Sequence, residues 1–144
     1  MKIFYSPKCL KYSSPGHPES PARVNSTHRF LADKGYSFTE PSPCSDDDIL
    51  LAHTSELLDR VKRGGFFDLD TPSLPNIFEH AKLSAGSSIE AAMHCLSGEK
   101  SFSLMRPPGH HATKDNLGGF CYFNNVAIAS LRAKEKVSKI AIID

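Results

Sequence analysis

The sequence predicts an α/β fold whose strands run mainly parallel. In the last third of the chain a strand pattern at residues 101–105 is followed by a helical pattern and then by the apolar segment KIAIID. A strand–helix–strand order indicates parallel strands joined by a right-handed crossover. The continuous apolar run at residues 140–143 is typical of a strand covered on both faces. Because no segment resembles a linker, we expect one α/β domain.

The first half of the chain alternates short strand patterns with helices that begin at N-cap residues. Strands are predicted over two segments, Lys2–Tyr5 and Tyr36–Phe38. Helices are predicted after three caps, Ser20, Ser45 and Thr54. The first helix has proline at its opening position and should end near Lys34, before Gly35. The third helix should end at the glycine pair 64–65.

The second half supplies the remaining elements. A long helix is expected over Asn76–Leu96, ended by Gly98, and a strand over Ser101–Met105. Asn124 or Asn125 should cap a helix that runs to Ala133. Lys139–Asp144 is then predicted to be the closing strand.

The overall composition excludes several classes of function. The formal net charge is +1 and hydrophobic residues make up 40% of the chain, so nothing in the charge favours nucleic acid or a membrane surface. The four cysteines contain no CxxC pair, which argues against a cysteine-rich zinc module and against a disulfide framework. We therefore expect a reducing, cytoplasmic compartment.

The stretch RPPGHHATKDNLGGFCYFNN, residues 106–125, carries the strongest functional signal. Its tandem histidines, His110 and His111, follow the strand predicted to end at Met105, and Asp144 follows the closing strand. In parallel sheets, binding and catalytic residues gather beyond the carboxyl ends of the strands. A carboxylate behind an imidazole fixes its tautomer and raises its basicity, as general base catalysis requires.

The residues alone leave other interpretations open. Tandem histidines in a glycine-rich loop can be surface or packing residues, since one pair is a weak motif. A zinc site made by these two alone is disfavoured, because zinc normally needs three or four ligands and neighbouring histidines point different ways. The residues therefore establish only a candidate histidine-based site.

Three motifs together resemble one known family. RPPGHHATKDNLGGFCYFNNVAIA is similar to the signature of the zinc-dependent histone deacetylase superfamily, in the class II and bacterial form that includes the acetoin-utilisation and acetylpolyamine amidohydrolases. GHPESPARV resembles the family's HPE-x-P-x-R opening, and DLDTPSLPNIFEHAKLSAGSSIEAA resembles its loop and helix before the catalytic strand. The resemblance implies a three-layer α/β/α fold of the arginase/deacetylase type, with residues 1–144 as the N-terminal, truncated part of a single deacetylase-like domain.

The resemblance also implies an activity and roles for individual residues. The parent activity would be metal-dependent hydrolysis of an N-acyl amide, with acetyl-lysine proteins or acetylpolyamine-like molecules as substrates. His110 and His111 match the pair that transfers protons around a metal-activated water. Asp144 matches the first aspartate of the D-x-D-x-H motif, which backs His110 and contributes to a monovalent-cation (K⁺) site.

Four further positions match the family's substrate-binding residues. Gly119 matches the glycine whose carbonyl accepts the amide N–H, and Phe120 matches a wall of the acyl channel. Asp70 matches the rim aspartate that holds the substrate backbone. Arg23 matches an arginine of the inner cavity that serves acetate exit. Cys121 is expected to be a buried thiol rather than a nucleophile.

The family's catalytic metal ligands lie beyond residue 144. They are the second Asp and the His of D-x-D-x-H and a later Asp, and the oxyanion-stabilising Tyr follows them. The resemblance thus implies Zn²⁺ in the complete protein but no catalytic zinc ligand in this chain. The alternative function is a catalytically inactive fragment or association module, which self-associates or pairs with the missing C-terminal part. The ureohydrolases share the fold, but a ureohydrolase sequence would not be expected to contain the RPPGHH motif.

Overall fold

The computed structural model describes residues 1–144, which form three strands and five α-helices. The strands are β1 (Lys2–Phe4), β2 (Phe38–Thr39) and β3 (Ser101–Ser103). The helices are α1 (Pro21–Asp33), α2 (Asp46–Leu50), α3 (Ser55–Arg63), α4 (Ile77–Cys95) and α5 (Asn125–Ala133). A short 3-10 turn occupies Pro7–Leu10. No helix is both long enough and apolar enough to cross a membrane.

The strands form one parallel sheet in the order β2-β1-β3, which confirms the predicted α/β class. Ile3 of the central strand pairs with Phe38 on one side and Phe102 on the other. Because side chains alternate along a strand, Ile3 packs with Val24 of α1, whereas the Phe4 ring meets His94 of α4 on the opposite face. Helices thus cover both faces of the sheet, in three layers.

The predicted caps explain where most helices begin. Ser45 and Asp48 form a reciprocal capping box at α2, and the Thr54 hydroxyl accepts from the Leu57 N–H at α3. The Asn124 side chain accepts from the Ala127 N–H, which makes Asn124 the cap of α5. Ser20 precedes Pro21 as expected but makes no side-chain cap bond.

Strand β2 begins two residues later than predicted, and the end of α1 explains the shift. The Gly35 N–H donates to Ala32 and the Tyr36 N–H donates to Leu31, so both residues complete the helix terminus. Gly35 has φ +81°, the left-handed conformation that such a terminus favours. Strand geometry therefore starts only at Phe38.

A core of 14 buried residues lies between α4, α5 and the α2–α3 pair. At its edge, Gly86 lets the loop at Ser42–Cys44 press on α4: a Cβ at Gly86 would lie 2.1 Å from the Ser42 carbonyl oxygen. Helix α4 also packs against β1, β3 and α5. It is therefore the support on which the loop after β3 rests.

The prediction of a closing strand at Lys139–Asp144 is wrong. The segment lines the same cleft as β3 but makes no backbone hydrogen bond to it, so no ladder forms. All residues of the segment are exposed, with Ile142 at 58% and Ile143 at 97%, so neither of its faces is buried. A strand with two apolar faces gains stability only when both are covered. The predicted strand–helix–strand unit is thus present only as β3 and α5.

Candidate active site

The loop that carries the tandem histidines leaves β3 at the carboxyl edge of the sheet and is fixed at its first residue by a buried ion pair. Arg106 Nε lies 2.6 Å from Glu19 Oε1, and Arg106 Nη2 lies 2.6 Å from Glu19 Oε2. Nη1 donates to the carbonyl oxygens of Cys9 and Tyr12 at 2.7 and 3.1 Å. The guanidinium also stacks on the Tyr12 ring, 3.9 Å from its centroid. The ion pair therefore joins the N-terminal HPE segment to the start of the histidine loop.

The next residues of the loop are held from the side of α4 and α5. Ser84 Oγ and Asn125 Nδ2 both donate to the Pro107 carbonyl, at 2.8 and 3.2 Å. Gly109 lies so close to α5 that a Cβ there would be 2.5 Å from the Asn125 backbone nitrogen. Only glycine can lie this close to α5, and the contact fixes the position of the backbone directly before His110.

His110 lies next to a carboxylate. Its Nδ1 is 3.0 Å from both Oδ1 and Oδ2 of Asp144, although the two residues are 34 positions apart. An N–H at Nδ1 that donates to this carboxylate leaves Nε2 as the proton acceptor. The His111 ring is 4.1 Å away, centroid to centroid. The arrangement suits a base whose tautomer is set by a carboxylate, with a second imidazole beside it.

His111 packs on a tight turn that presents the second glycine pair. Gly118 and Cys121 exchange two backbone hydrogen bonds of 3.0 Å around Gly119 and Phe120, whose φ angles are +56° and +71°. Two central residues with positive φ define a type I′ turn. The Thr71 hydroxyl accepts from the Phe120 N–H at 3.0 Å and so holds the turn in place.

The Gly119 carbonyl faces a thiol that is not activated. Cys121 Sγ donates to this carbonyl at 3.3 Å, and burial raises the pKa of the Cys121 thiol. A raised pKa keeps the sulfur protonated, so it acts as a donor and not as a nucleophile. A carbonyl oxygen has two lone pairs, which leaves room for a second donor.

Asp70 lies on the exposed loop beside this turn and is anchored through its backbone. His17 Nε2 donates to the Asp70 carbonyl at 3.0 Å, while His17 Nδ1 accepts from the Glu19 N–H at 3.1 Å. The same imidazole meets the Phe120 ring edge to face at 4.9 Å. His17 thus connects the N-terminal segment, the Asp70 loop and the Phe120 turn.

A cleft of about 690 Å³ opens beside His110, and Arg23, His110 and Asp144 all line it. Asp70, Gly119 and Phe120 lie outside this cleft, around His17 and His111. The structure therefore places the seven predicted residues in two groups that meet at the histidine pair. No group of three or more His, Cys, Asp or Glu side chains is arranged to hold a metal ion.

The far side of the histidine loop rests on a neutral buried histidine. His53 Nε2 accepts from the Asn124 N–H at 2.8 Å, and Asn124 Nδ2 donates to the Ala112 carbonyl at 3.0 Å. Burial lowers the pKa of His53, and its other ring nitrogen, Nδ1, is buried without a hydrogen-bond partner. A neutral ring is needed here, because protonated Nε2 could not accept.

Five residues that support the site were not assigned from the sequence: His17, Glu19, Ser84, Arg106 and Asn125. Two of them had a usable signal, since Glu19 and Arg106 are opposite charges inside motifs that otherwise consist of turn and site residues. Ser84 and Asn125 gave none, because a small polar residue in a helix has no feature that predicts which carbonyl it meets.

Comparison with known proteins gives one consistent family. The family model described as histone deacetylase domain matches residues 17–144. The chain is 39% identical to a probable deacetylase of Methanothermobacter thermautotrophicus, over all of this chain and 46% of that protein. It is 37% identical to a histone deacetylase-like amidohydrolase of Pseudomonas aeruginosa, over 90% of this chain and 37% of that one.

A solved structure gives the same result for the fold. The HDA15 HD domain superposes with a TM-score of 0.85 at 28% identity, covering 93% of this chain and 42% of that chain. The chain thus spans less than half the length of these relatives.

Proposed function

The chain belongs to the histone deacetylase family, and on this premise we propose that it is part of a hydrolase that removes acetyl or related acyl groups from amide nitrogens. Relatives are named as deacetylases and amidohydrolases, including an acetylpolyamine amidohydrolase of Mycoplana ramosa. The proposed substrates are therefore acetyl-lysine side chains or acetylated polyamines. Residues 1–144 are proposed to be the N-terminal part of one deacetylase-like domain.

The observation that carries this proposal is the contact of His110 Nδ1 with Asp144 at 3.0 Å, with His111 beside it. In hydrolysis of an amide, a base takes a proton from water and an acid gives a proton to the departing amine. We assign these two transfers to His110 and His111, with Asp144 holding the His110 tautomer. The products are a carboxylate and a free amine.

The second group of residues supports substrate binding. We propose that the Gly119 carbonyl accepts the amide N–H of the substrate and that the Phe120 ring forms one wall of the acyl channel. Asp70, on the exposed loop next to them, would hold the substrate backbone. Arg23 lines the cleft beside His110, where a cation suits departure of an acetate ion.

Membership of this family implies zinc in general terms. We propose that the zinc ligands belong to residues beyond 144, as the resemblance implies. Residues 1–144 contain no group of three or more His, Cys, Asp or Glu side chains arranged to hold a metal ion. Asp144 is proposed as a ligand for K⁺. The roles assigned above concern proton transfer and substrate contacts only.

A second candidate function rests on a separate observation. An apolar groove of about 480 Å³ runs between α4 and α5, lined by Ala91, Val126 and Ile140, and the outer edge of β3 is unpaired beside it. Open edges and apolar grooves favour association. This supports a chain that is inactive alone and pairs with another polypeptide.

One assay separates the two functions. Acetate release from acetyl-lysine peptides and acetylated polyamines is measured with zinc present, for residues 1–144 alone and for the full-length protein. We expect turnover only in the full-length protein, and its loss in His111→Ala. Turnover by residues 1–144 alone would contradict the need for further residues, and no turnover by the full-length protein would leave the association function.

A further inference from the structure

We propose that Glu19 is a positioning residue for the candidate proton-transfer pair and that it acts through its ion pair with Arg106. It touches none of the proposed reacting groups, yet it fixes the residue from which the His110 loop starts. The inference rests on the proposed function, because its catalytic readout needs a working deacetylase. Its structural readout, hydrogen exchange in the loop, does not need enzyme activity.

The ion pair is buried and held in one geometry. Arg106 is 1% and Glu19 6% exposed, so both charges are removed from water. All five guanidinium N–H groups have acceptors: both Glu19 carboxylate oxygens and the carbonyl oxygens of Cys9, Tyr12 and, at 3.4 Å, Glu19. Tyr12 also donates its hydroxyl to Glu19 Oε2. A guanidinium bound at every donor has one orientation.

Stability of the fold does not require a buried ion pair at this position. Buried ion pairs recover little beyond their desolvation cost, and well-packed apolar residues of similar volume often stabilise a protein as well or better. What an apolar pair does not provide is a bidentate geometry with a single orientation. The observation to explain is therefore the single orientation of the ion pair, and the segment that continues from Arg106 toward the candidate site is the histidine loop.

The connection from Arg106 to His110 is short and restrained. Two prolines follow Arg106, and proline rings fix φ. Ser84 and Asn125 hold the Pro107 carbonyl, and Gly109 lies against α5 without room for a Cβ. A displacement of the Arg106 backbone is thus passed to His110 and its contact with Asp144.

The backbone of Glu19 connects to the substrate side by a separate route. Its N–H donates to His17, which holds the Asp70 carbonyl. Changing the Glu19 side chain therefore disturbs the histidine loop and leaves the backbone link to Asp70 in place. This predicts an effect on kcat with little effect on KM.

The test uses the full-length protein with Glu19→Asp, which keeps the charge but shortens the side chain by one methylene. We expect kcat to fall roughly tenfold or more, as for a small misplacement of a catalytic group, with KM within about twofold. Because Glu19→Gln buries an unpaired cation and can fail to fold, the second variant is Glu19→Leu with Arg106→Met, which removes both charges. It should fold with a similarly reduced kcat. The control is Asp46→Asn, which breaks ion pairs with Lys62 and Lys82 away from the loop and should leave kcat unchanged.

Hydrogen exchange supplies the readout that is independent of activity. The Ala112 N–H bonds to the Gly109 carbonyl at 3.2 Å, so its exchange reports order in the loop. Exchange there should accelerate in both Glu19 variants and stay unchanged in Asp46→Asn. Unchanged loop exchange, or an unchanged kcat in a folded variant, would overturn the inference. If the unmodified protein deacetylates nothing, the proposed function fails while the exchange result still decides the positioning role.

Discussion

The imidazole of His111 lies directly against the backbone of Gly119. A Cβ atom built on Gly119 would be 2.7 Å from His111 Cδ2 and 2.9 Å from His111 Cβ. This contact joins the histidine pair to the turn that presents the Gly119 carbonyl and the Phe120 ring. The residue proposed to transfer a proton and the residue proposed to bind the amide are therefore in direct contact.

Gly119→Ala should abolish most activity of the full-length protein. The new Cβ must displace the His111 ring, and φ of +56° also strains a residue with a side chain. A displaced catalytic group costs about a hundredfold, and Gly119→Val should be worse. Steady-state deacetylation kinetics are the measurement. The matched control is Gly118→Ala, because nothing lies within 4 Å of a Cβ there. Equal activities of the Gly118→Ala and Gly119→Ala proteins would exclude this contact as a catalytic requirement.

His110→Ala and His111→Ala should each lower kcat of the full-length protein by about 10²–10⁴-fold, the range for loss of a general acid or base. Asp144→Asn should lower it too, since an amide can present the wrong partner to Nδ1 and reverse the tautomer. The measurement is kcat under saturating substrate. Full activity in Asp144→Asn would remove this carboxylate from the mechanism.

Asp70→Ala should raise KM of the full-length protein and leave kcat nearly unchanged, because Asp70 is proposed to hold substrate away from the scissile bond. His17→Ala should act in the same direction, since it releases the Asp70 carbonyl. Michaelis–Menten kinetics with an acetyl-lysine peptide test both. Asp59→Ala, an exposed aspartate on α3, is the control. An unchanged KM for Asp70→Ala would reject the rim assignment.

The elements that could be predicted from the sequence were those with a local signal. Ser45, Thr54 and the pair Asn124–Asn125 predicted helix starts because a cap acts on N–H groups two or three residues away. The failure at Lys139–Asp144 has the opposite cause. An apolar pattern indicates which side chains of a segment need to be buried. Strand formation also requires backbone hydrogen bonds to a neighbouring strand, and the pattern of one segment does not show whether those bonds form.

The same distinction holds in the candidate site. The position of the histidine loop after β3 followed from strand order. The partner of Arg106 did not, since Glu19 lies 87 residues away and opposite charge alone does not identify which two residues pair. Breaking such a buried ion pair by removing one partner typically costs about 3–5 kcal/mol of stability. The ion pair at the start of the histidine loop is therefore a strong interaction that cannot be predicted from neighbouring residues in the sequence.

Stability should fall as the pH is lowered through the ordinary histidine range, in part because of His53. Burial lowers its pKa in the folded state, so between the folded and unfolded pKa values the unfolded chain binds more protons. The free energy of unfolding is therefore highest above about pH 6.5 and decreases below it. His80, whose pKa burial also lowers, contributes in the same direction.

The contribution of His53 can be isolated with His53→Gln. Its amide oxygen can still accept from the Asn124 N–H but does not titrate. Urea unfolding between about pH 8 and pH 5 should show a smaller pH dependence in this variant than in the unmodified protein. Identical pH dependence in the two proteins would mean that protonation of His53 is not linked to folding.

Residues 1–144, prepared alone, should self-associate. Ile142 and Ile143 are 58% and 97% exposed beside the unpaired edge of β3, and the groove between α4 and α5 continues this apolar surface. An open edge with apolar side chains pairs readily with a second chain. Size-exclusion chromatography with light scattering should therefore give a mass above that of the 15.8 kDa monomer.

Ile142→Lys with Ile143→Lys should restore the monomer, because charges on an edge oppose pairing. Phe67→Lys, at a side chain that is 83% exposed on another surface, should not. A stable monomer with cooperative unfolding in the unmodified chain would show that this surface is tolerated in water and that residues 1–144 are self-sufficient.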